Sequence, residues 1–177
     1  MTQLEPVSRP RPRPSARAQP NTTSSVVFKW EPFSDLIQEA APLVRRHWAE
    51  VALFTDKLPL DPDWKLALDM DRAGVLHVLT ARKDGLLIGY IFNYILRSLF
   101  CSVPWATVHG FWIDPLYREG RAGIDLFKEN EKGLRDKGAK AVSIESLLHI
   151  HADRGTVGRI FEHLGYTRVG ELWTKPL

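Results

Sequence analysis

The chain has a single cysteine, Cys101, in 177 residues. That excludes an internal disulfide and a thiolate metal cluster, and it suits a reducing compartment. Long apolar runs are missing too. The longest, LLIGYIFNYIL at 86 to 96, falls short of the about 20 residues that a membrane helix needs, and Asn93 interrupts it. No apolar segment follows the first basic residues, so the sequence predicts neither a secretory leader nor a membrane partner. The expectation is a soluble, cytoplasmic protein. Charge of one sign is also scarce outside the first 20 positions. Of 24 basic and 21 acidic residues, Arg9, Arg11, Arg13, Arg17 and Glu5 lie there, which leaves 20 of each sign elsewhere. The pI of about 9.1 therefore belongs to the tail, and the body is neutral.

That tail, which includes SRPRPRPSARAQP at 8 to 20, has five prolines from Pro6 to Pro20 and almost nothing apolar to bury. It is expected to be extended and disordered over residues 1–25. As a basic arm it offers weak contact with nucleic acid, or it is simply a solubilising extension. Residues 26–177, rich enough in apolar side chains for a proper core, are expected to form one domain.

Within the body, VVFKW at 26 to 30 is β-prone, and Asp35 with Gln38 offers a capping box for a helix through Val51 that Pro42 is expected to bend or split. Asp61 and Pro62 predict a second, short helix through Leu68. From Gly74 the hydrophobic period changes. VLHVLTAR, a turn at Lys83-Asp84-Gly85, and LLIGYIFNYIL predict an antiparallel hairpin, and WATVHGFWI at 105 to 113 a third strand. A helix from about Ala122 to Lys137, burying Ile124, Phe127 and Leu134, ends at Gly138. KAVSIESLL at 140 to 148 reads as a strand, GRIFEHLG as a helix and YTRVGELWTK as a closing strand whose apolar character leaves a homodimer open. The class is α+β, with a mostly antiparallel twisted sheet flanked by helices.

The stretch DPLYREGRAGIDLF at 114 to 127 places Arg118, Gly120, Arg121 and Gly123 where a helix begins. A helix start offers unpaired N–H groups and a partial positive charge, both suited to a phosphate. Glycines let backbone approach such an anion closely, and arginines add charge-assisted bonds. Glycines also terminate strands and open turns, so the pattern alone leaves both readings standing. A Walker loop would need Gly-Lys-Ser/Thr, and a dinucleotide fingerprint would need G-x-G-x-x-G; neither is present.

An apolar strand end, Phe111-Trp112-Ile113, leads through Asp114 and Pro115 into Arg118 to Gly123, and Leu164-Gly165-Tyr166 follows a later helix. In these features the chain resembles the GNAT (Gcn5-related) N-acetyltransferases, the small phage or bacterial members in particular, over residues 26 to 175. The resemblance implies an acyltransferase that moves an acetyl group from acetyl-CoA to a primary amine on a small molecule or a protein. It implies that backbone at Phe111 and Ile113, flanking Trp112, pairs with the pantetheine arm. It assigns Arg118, Glu119, Gly120, Arg121, Ala122 and Gly123 to the pyrophosphate. Arg121 stands where the motif has its first glycine, and Gly120 comes one position early.

Acetylating an amine requires a proton acceptor, because an amine of pKa about 10.4 is protonated at pH 7. His109, on the strand before the loop, and Glu145, on the adjacent predicted strand, are the candidates; a packing histidine and an outward-facing glutamate are the bland alternatives. The family's usual tyrosine acid is replaced by Phe161, with Tyr117 and Tyr166 as substitutes. A thiol of pKa near 8.5 leaves readily without an acid. His149, His151 and Asp153 partly match a hydrolase zinc pattern, but Arg154 takes the place of its last histidine, so no metal is expected. Leu99, Phe100 and Trp105, around the loop from Arg97 to Pro104, are candidates for the acceptor pocket. Phe161 also leaves open a non-catalytic acyl-CoA-binding or nucleic-acid-associated module, and the basic arm leaves open a phage enzyme acylating a modified nucleobase.

Overall fold

The computed structural model describes residues 25–97, 99–100, 102–145, 156–170, 172 and 174–176. β1 (Val27–Glu31) leads into α1 (Phe33–Val51) and α2 (Trp64–Arg72). Three antiparallel strands follow: β2 (Leu76–Lys83), β3 (Leu86–Arg97) and β4 (Pro104–Ile113). A one-turn 3-10 helix (Pro115–Tyr117) enters α3 (Ala122–Asp136), then come β5 (Ala141–Ile144) and α4 (Thr156–His163). The sheet order is β1-β2-β3-β4-β5; all pairings are antiparallel except β4 with β5. The mostly antiparallel α+β architecture expected from the sequence is present.

Local chemistry explains where the elements begin. Asp84 (φ 52°) and Gly85 (φ 82°) both take left-handed backbone, which joins β2 to β3 by a two-residue turn. α3 ends on Gly138 at φ 90°. α1 starts before the expected Asp35 cap, because the apolar side of its first turn is already in the core: Phe33 and Leu36 are buried and Pro32 supplies the entry angle. Pro42 does not split it. The residues on both sides of the proline pack on the sheet, and that packing outweighs one missing main-chain bond. α2 is capped by Asp63, not Asp61, since the Asp63 carboxylate accepts from Leu66 N at 2.8 Å.

One face of the sheet is covered by α1 and α2, whose Phe33, Leu36, Ala40, Trp64 and Leu68 pack on Val78, Tyr90 and Trp112. The other is covered by α3 and α4 through Leu126, Phe127 and Phe161 packed on Leu79, Ile88, Ile91 and Val108. Ile124, expected in that core, is only half-buried, and Leu126 takes its place. The expected closing strand is not formed by the described residues after Tyr166. Its apolar residues do not alternate, and Val169 is almost fully exposed, so no face exists to dock.

Arg82 is half-buried where β1, α1 and the β2–β3 turn meet. It donates to Glu31 (2.8 and 3.2 Å), to Glu39 (2.9 and 3.1 Å) and to the Gly85 carbonyl (2.9 Å). Burial raises the Glu31 pKa, but hydrogen bonds from Arg82 and Thr80 outweigh it and hold the carboxyl below its ordinary value. A carboxyl depressed on folding stabilises the protein above its unfolded pKa, about 4.3, and that stability is lost as pH falls through the lower folded value. Glu31→Gln is therefore expected to lower stability at neutral pH and to flatten its decline in acid, as measured by urea unfolding across that range.

Candidate functional site

β5 runs beside β4 for only four residues, from Trp105↔Ala141 to Val108↔Ile144. Past Val108, β4 pairs with β3 alone among the described residues. Ladder parity then decides what the free side offers. Asp114 N donates to the Ile88 carbonyl at 2.8 Å, so alternate residues Trp112 and Asp114 face β3, and the main-chain groups of Phe111 and Ile113 face the side that β5 has left. The Ile113 carbonyl there accepts from Arg118 Nε at 2.7 Å.

The parting point coincides with a bulge. Asn93 opposes Val108 and Phe92 opposes Gly110, which leaves His109 as the extra residue. The bulge turns His109 and Gly110 to one face. His109 lies against Tyr94, ring centroids 4.9 Å apart, and a Cβ on Gly110 would be 3.7 Å from His47 on α1. His109 is exposed. Glu145, the first residue after β5, is also exposed, and alternation from Ser143 carries it to the same face, where Ser143 accepts from Trp105 Nε1 at 2.6 Å. The fold thus brings the two candidate proton acceptors to the same end of the β4–β5 ladder.

Along that face, Leu96, Arg97, Trp105 and Thr107 line an open pocket of about 350 Å³. Of the expected pocket residues, Trp105 takes part; Leu99 and Phe100 project almost fully into solvent.

On the free side of β4 the chain turns through the 3-10 helix into α3. Asp114 caps the turn by accepting from Leu116 N at 3.0 Å and takes an ion pair from Arg46 at 2.8 Å. Gly120 sits at φ 83°, which a side chain resists, so this is the position where the loop requires glycine. Arg121, the residue in the motif's glycine place, adopts ordinary right-handed backbone at φ −107° and needs none. The first helical bond of α3 runs from Asp125 N to the Arg121 carbonyl at 2.9 Å, and the main-chain amides from Glu119 to Ile124 donate to no acceptor among the described residues. A Cβ added at Gly123 would meet nothing within 4 Å, so the first turn of α3 fronts open space. Among the described residues, amides without acceptors, a helix start without a side-chain cap and a strand edge without a partner form a surface with the chemistry for a diphosphate and an amide-bearing chain.

Arg118 is not among the unengaged groups. Besides Ile113, it donates to Glu50 on α1 at 2.5 and 2.6 Å, and Glu50 also accepts from the buried Trp112 at 2.8 Å. Tyr90, beneath Trp112, shares a 2.9 Å hydrogen bond with His47, and burial pushes its hydroxyl pKa well up. Nothing in the sequence beyond helical spacing marks these α1 residues.

Phe161 is buried, edge-on to Phe127 and Phe111 with centroids 5.3 and 6.0 Å away. Tyr166 packs on Phe161 with its hydroxyl buried, and that burial raises its pKa. Tyr117 lies under Lys83 Nζ at 5.6 Å. Neither tyrosine is within ring contact of His109. His149, His151 and Asp153 lie outside the described residues, and no group of potential metal ligands is present among those described.

The two loop glycines are expected to respond oppositely to alanine. Gly120→Ala should destabilise the protein by about 1 kcal/mol, because it forces a side chain into left-handed backbone. Gly123→Ala should cost nothing, or add up to about 1 kcal/mol of helix propensity. Chemical denaturation of both variants checks this.

No family model and no curated protein matches this chain. Solved structures do match. A ribosomal-protein-alanine N-acetyltransferase from Brucella melitensis biovar Abortus 2308 is 14% identical over 86% of this chain and 99% of its own, with a TM-score of 0.64. An aminoglycoside acetyltransferase from an uncultured soil metagenomic sample is 12% identical with the same coverage and a TM-score of 0.68. An aminoglycoside N-acetyltransferase solved in complex with CoA is 14% identical over 85% of this chain and 98% of its own, with a TM-score of 0.60. No described helix is long and apolar enough to cross a membrane. The chain therefore has the fold of the solved N-acetyltransferases over most of its length.

Proposed function

We propose that the protein is an N-acetyltransferase that uses acetyl-CoA as donor and a primary amine as acceptor. One observation carries the reading: amides from Glu119 to Ile124 with no acceptor among the described residues lie at the head of α3, next to an edge of β4 that no described strand covers, on a fold shared with an acetyltransferase solved with CoA. On this reading Glu119, Gly120, Arg121, Ala122 and Gly123 hold the pyrophosphate through their main chain, with Arg121 adding charge at the rim. Phe111 and Ile113 offer strand-like hydrogen bonds to the pantetheine arm. A donor bound this way supplies an acyl carbon activated as a thioester.

The chain's own chemistry is then deprotonation. An ammonium of pKa about 10.4 has to lose a proton before its nitrogen attacks. His109 takes that proton directly or through a water, and Glu145 serves as a second acceptor or holds the amine by its charge. The N–C bond forms, the C–S bond breaks and the departing thiolate needs no protein acid at neutral pH. That is consistent with a phenylalanine at position 161. The apolar and aromatic wall of Leu96, Trp105 and Thr107 receives the body of the acceptor.

Calorimetric titration with CoA and acetyl-CoA-dependent thiol release across an amine panel test the proposal together. The wild type should bind and turn over. Gly123→Val, which places a branched side chain in the open space at the head of α3, should lose CoA binding while remaining folded. His109→Ala should lower kcat by about 100-fold with little change in CoA affinity. CoA binding without turnover of any amine would favour a non-catalytic acyl-CoA-binding module, the second reading that Phe161 supports. Gly123→Val binding CoA as the wild type does would overturn the donor site.

A further inference from the structure

We propose that Glu50, in the last turn of α1, is the positioning residue of the donor loop, an inference that rests on the reading of that loop given above. Its carboxylate touches both parts of the donor surface. Oε2 accepts from Trp112 Nε1 at 2.8 Å on β4, and its two oxygens receive the terminal nitrogens of Arg118 at 2.5 and 2.6 Å. Arg118 Nε closes the arrangement by donating to the Ile113 carbonyl at 2.7 Å. A guanidinium fork on a carboxylate fixes direction as well as distance, which a lysine cannot do.

Nε and both terminal nitrogens of Arg118 are therefore committed to protein acceptors. The side chain acts as a strut from the loop to α1, not as an arm reaching for phosphate. Its backbone lies two residues before Gly120 and five before Gly123, so its placement sets the direction of the amides that follow. The guanidinium also lies 5.7 Å from the Trp112 ring centre, which ties the strut to the buried strand. Glu50 is only 24% exposed, so solvent screens the pair weakly on that side.

The sign of one effect separates strut from phosphate ligand. If Arg118 bound phosphate, Glu50 would compete with the donor for it, and neutralising Glu50 would tighten CoA binding. As a strut, Arg118 loses its anchor when Glu50 is neutralised, and CoA binding weakens. Glu50→Gln keeps the size of the side chain and an acceptor for Trp112. Calorimetry with CoA on the full chain is expected to show a Kd raised about tenfold or more for Glu50→Gln, and similarly for Arg118→Lys.

The double variant should be within about twofold of the weaker single, because both substitutions break one contact. In turnover, KM for acetyl-CoA should rise while KM for the amine holds. Glu31→Gln, which loosens the ion cluster around Arg82, is the control; it should lower stability and leave the CoA Kd unchanged. Tighter or unchanged CoA binding by Glu50→Gln, additive losses in the double variant, or an equal rise in Kd for Glu31→Gln would overturn the assignment. A wild type that binds no CoA would remove the donor site itself, and the positioning role with it.

Discussion

The early end of the β4–β5 ladder is the constraint on which the candidate site depends. A parallel pair that continued through Ile113 would satisfy Phe111 and Ile113 with main-chain partners and leave no edge to bind anything. Among the described residues pairing is over at Val108↔Ile144, and no second strand borders β4 beyond that point, an expensive arrangement unless another segment or a ligand supplies the missing bonds. The bulge at His109 belongs to the same event. It lets β4 keep register with β3 while its direction shifts, and it places an imidazole where the two strands separate.

The aromatic residues around that opening divide by face. Trp112, Tyr90, Phe92 and Phe33 pack together under α1 and α2, while Phe111, Phe127 and Phe161 meet edge to face under α3 and α4 with Tyr166 tilted against Phe161. β4 contributes alternate rings to both groups, so the strand that carries the open edge is packed from above and below. Phe161 is a packing member of the second group. A hydroxyl on that ring would need a partner among apolar neighbours, so phenylalanine satisfies the core, and any acid the reaction needed would have to come from elsewhere.

Much of this was legible in the sequence wherever chemistry is local. The Asp84-Gly85 turn, the glycine ending α3 and the loop from Arg118 to Gly123 each announce a backbone need that few residues meet. Period-two alternation gave β2, β3 and β4 closely, and the helix after Gly120 needed only its spacing. Legibility failed where a distant partner decides. Asp61, followed by a proline, reads as the cap, and only the reach to Leu66 shows that Asp63 takes the role. Pro42 looks like a break until both halves of α1 are seen packed on the sheet. Glu50 and Arg118 lie 68 positions apart, and nothing in either neighbourhood points to the other. The closing strand is not formed by the described residues for a different reason, since β-prone composition without alternation gives a segment no face to bury.

The aim of α3 has its own lock, well away from the loop it serves. Asn93 on β3 and Asn130 on α3 are fully buried, and their amides bond reciprocally at 2.9 and 3.0 Å. Asn93 also donates to the His77 carbonyl at 3.3 Å. Apolar packing alone would tolerate some rotation of the helix about its axis, because leucine and phenylalanine contacts are non-directional. A paired amide is not so tolerant, since turning the helix would leave polar groups unsatisfied in a dry core. One turn further on, Gly133 lets the helix lie directly against the Trp30 indole, which any side chain would overlap. The second half of α3 is thus fixed in rotation and in distance from the sheet. Asn130 and Gly133 set the axis on which the first turn stands, and the Arg118 strut sets the direction of the amides that lead into it. The helix can therefore leave those donors unengaged without losing its place, which is what a surface that binds an anion through main chain requires.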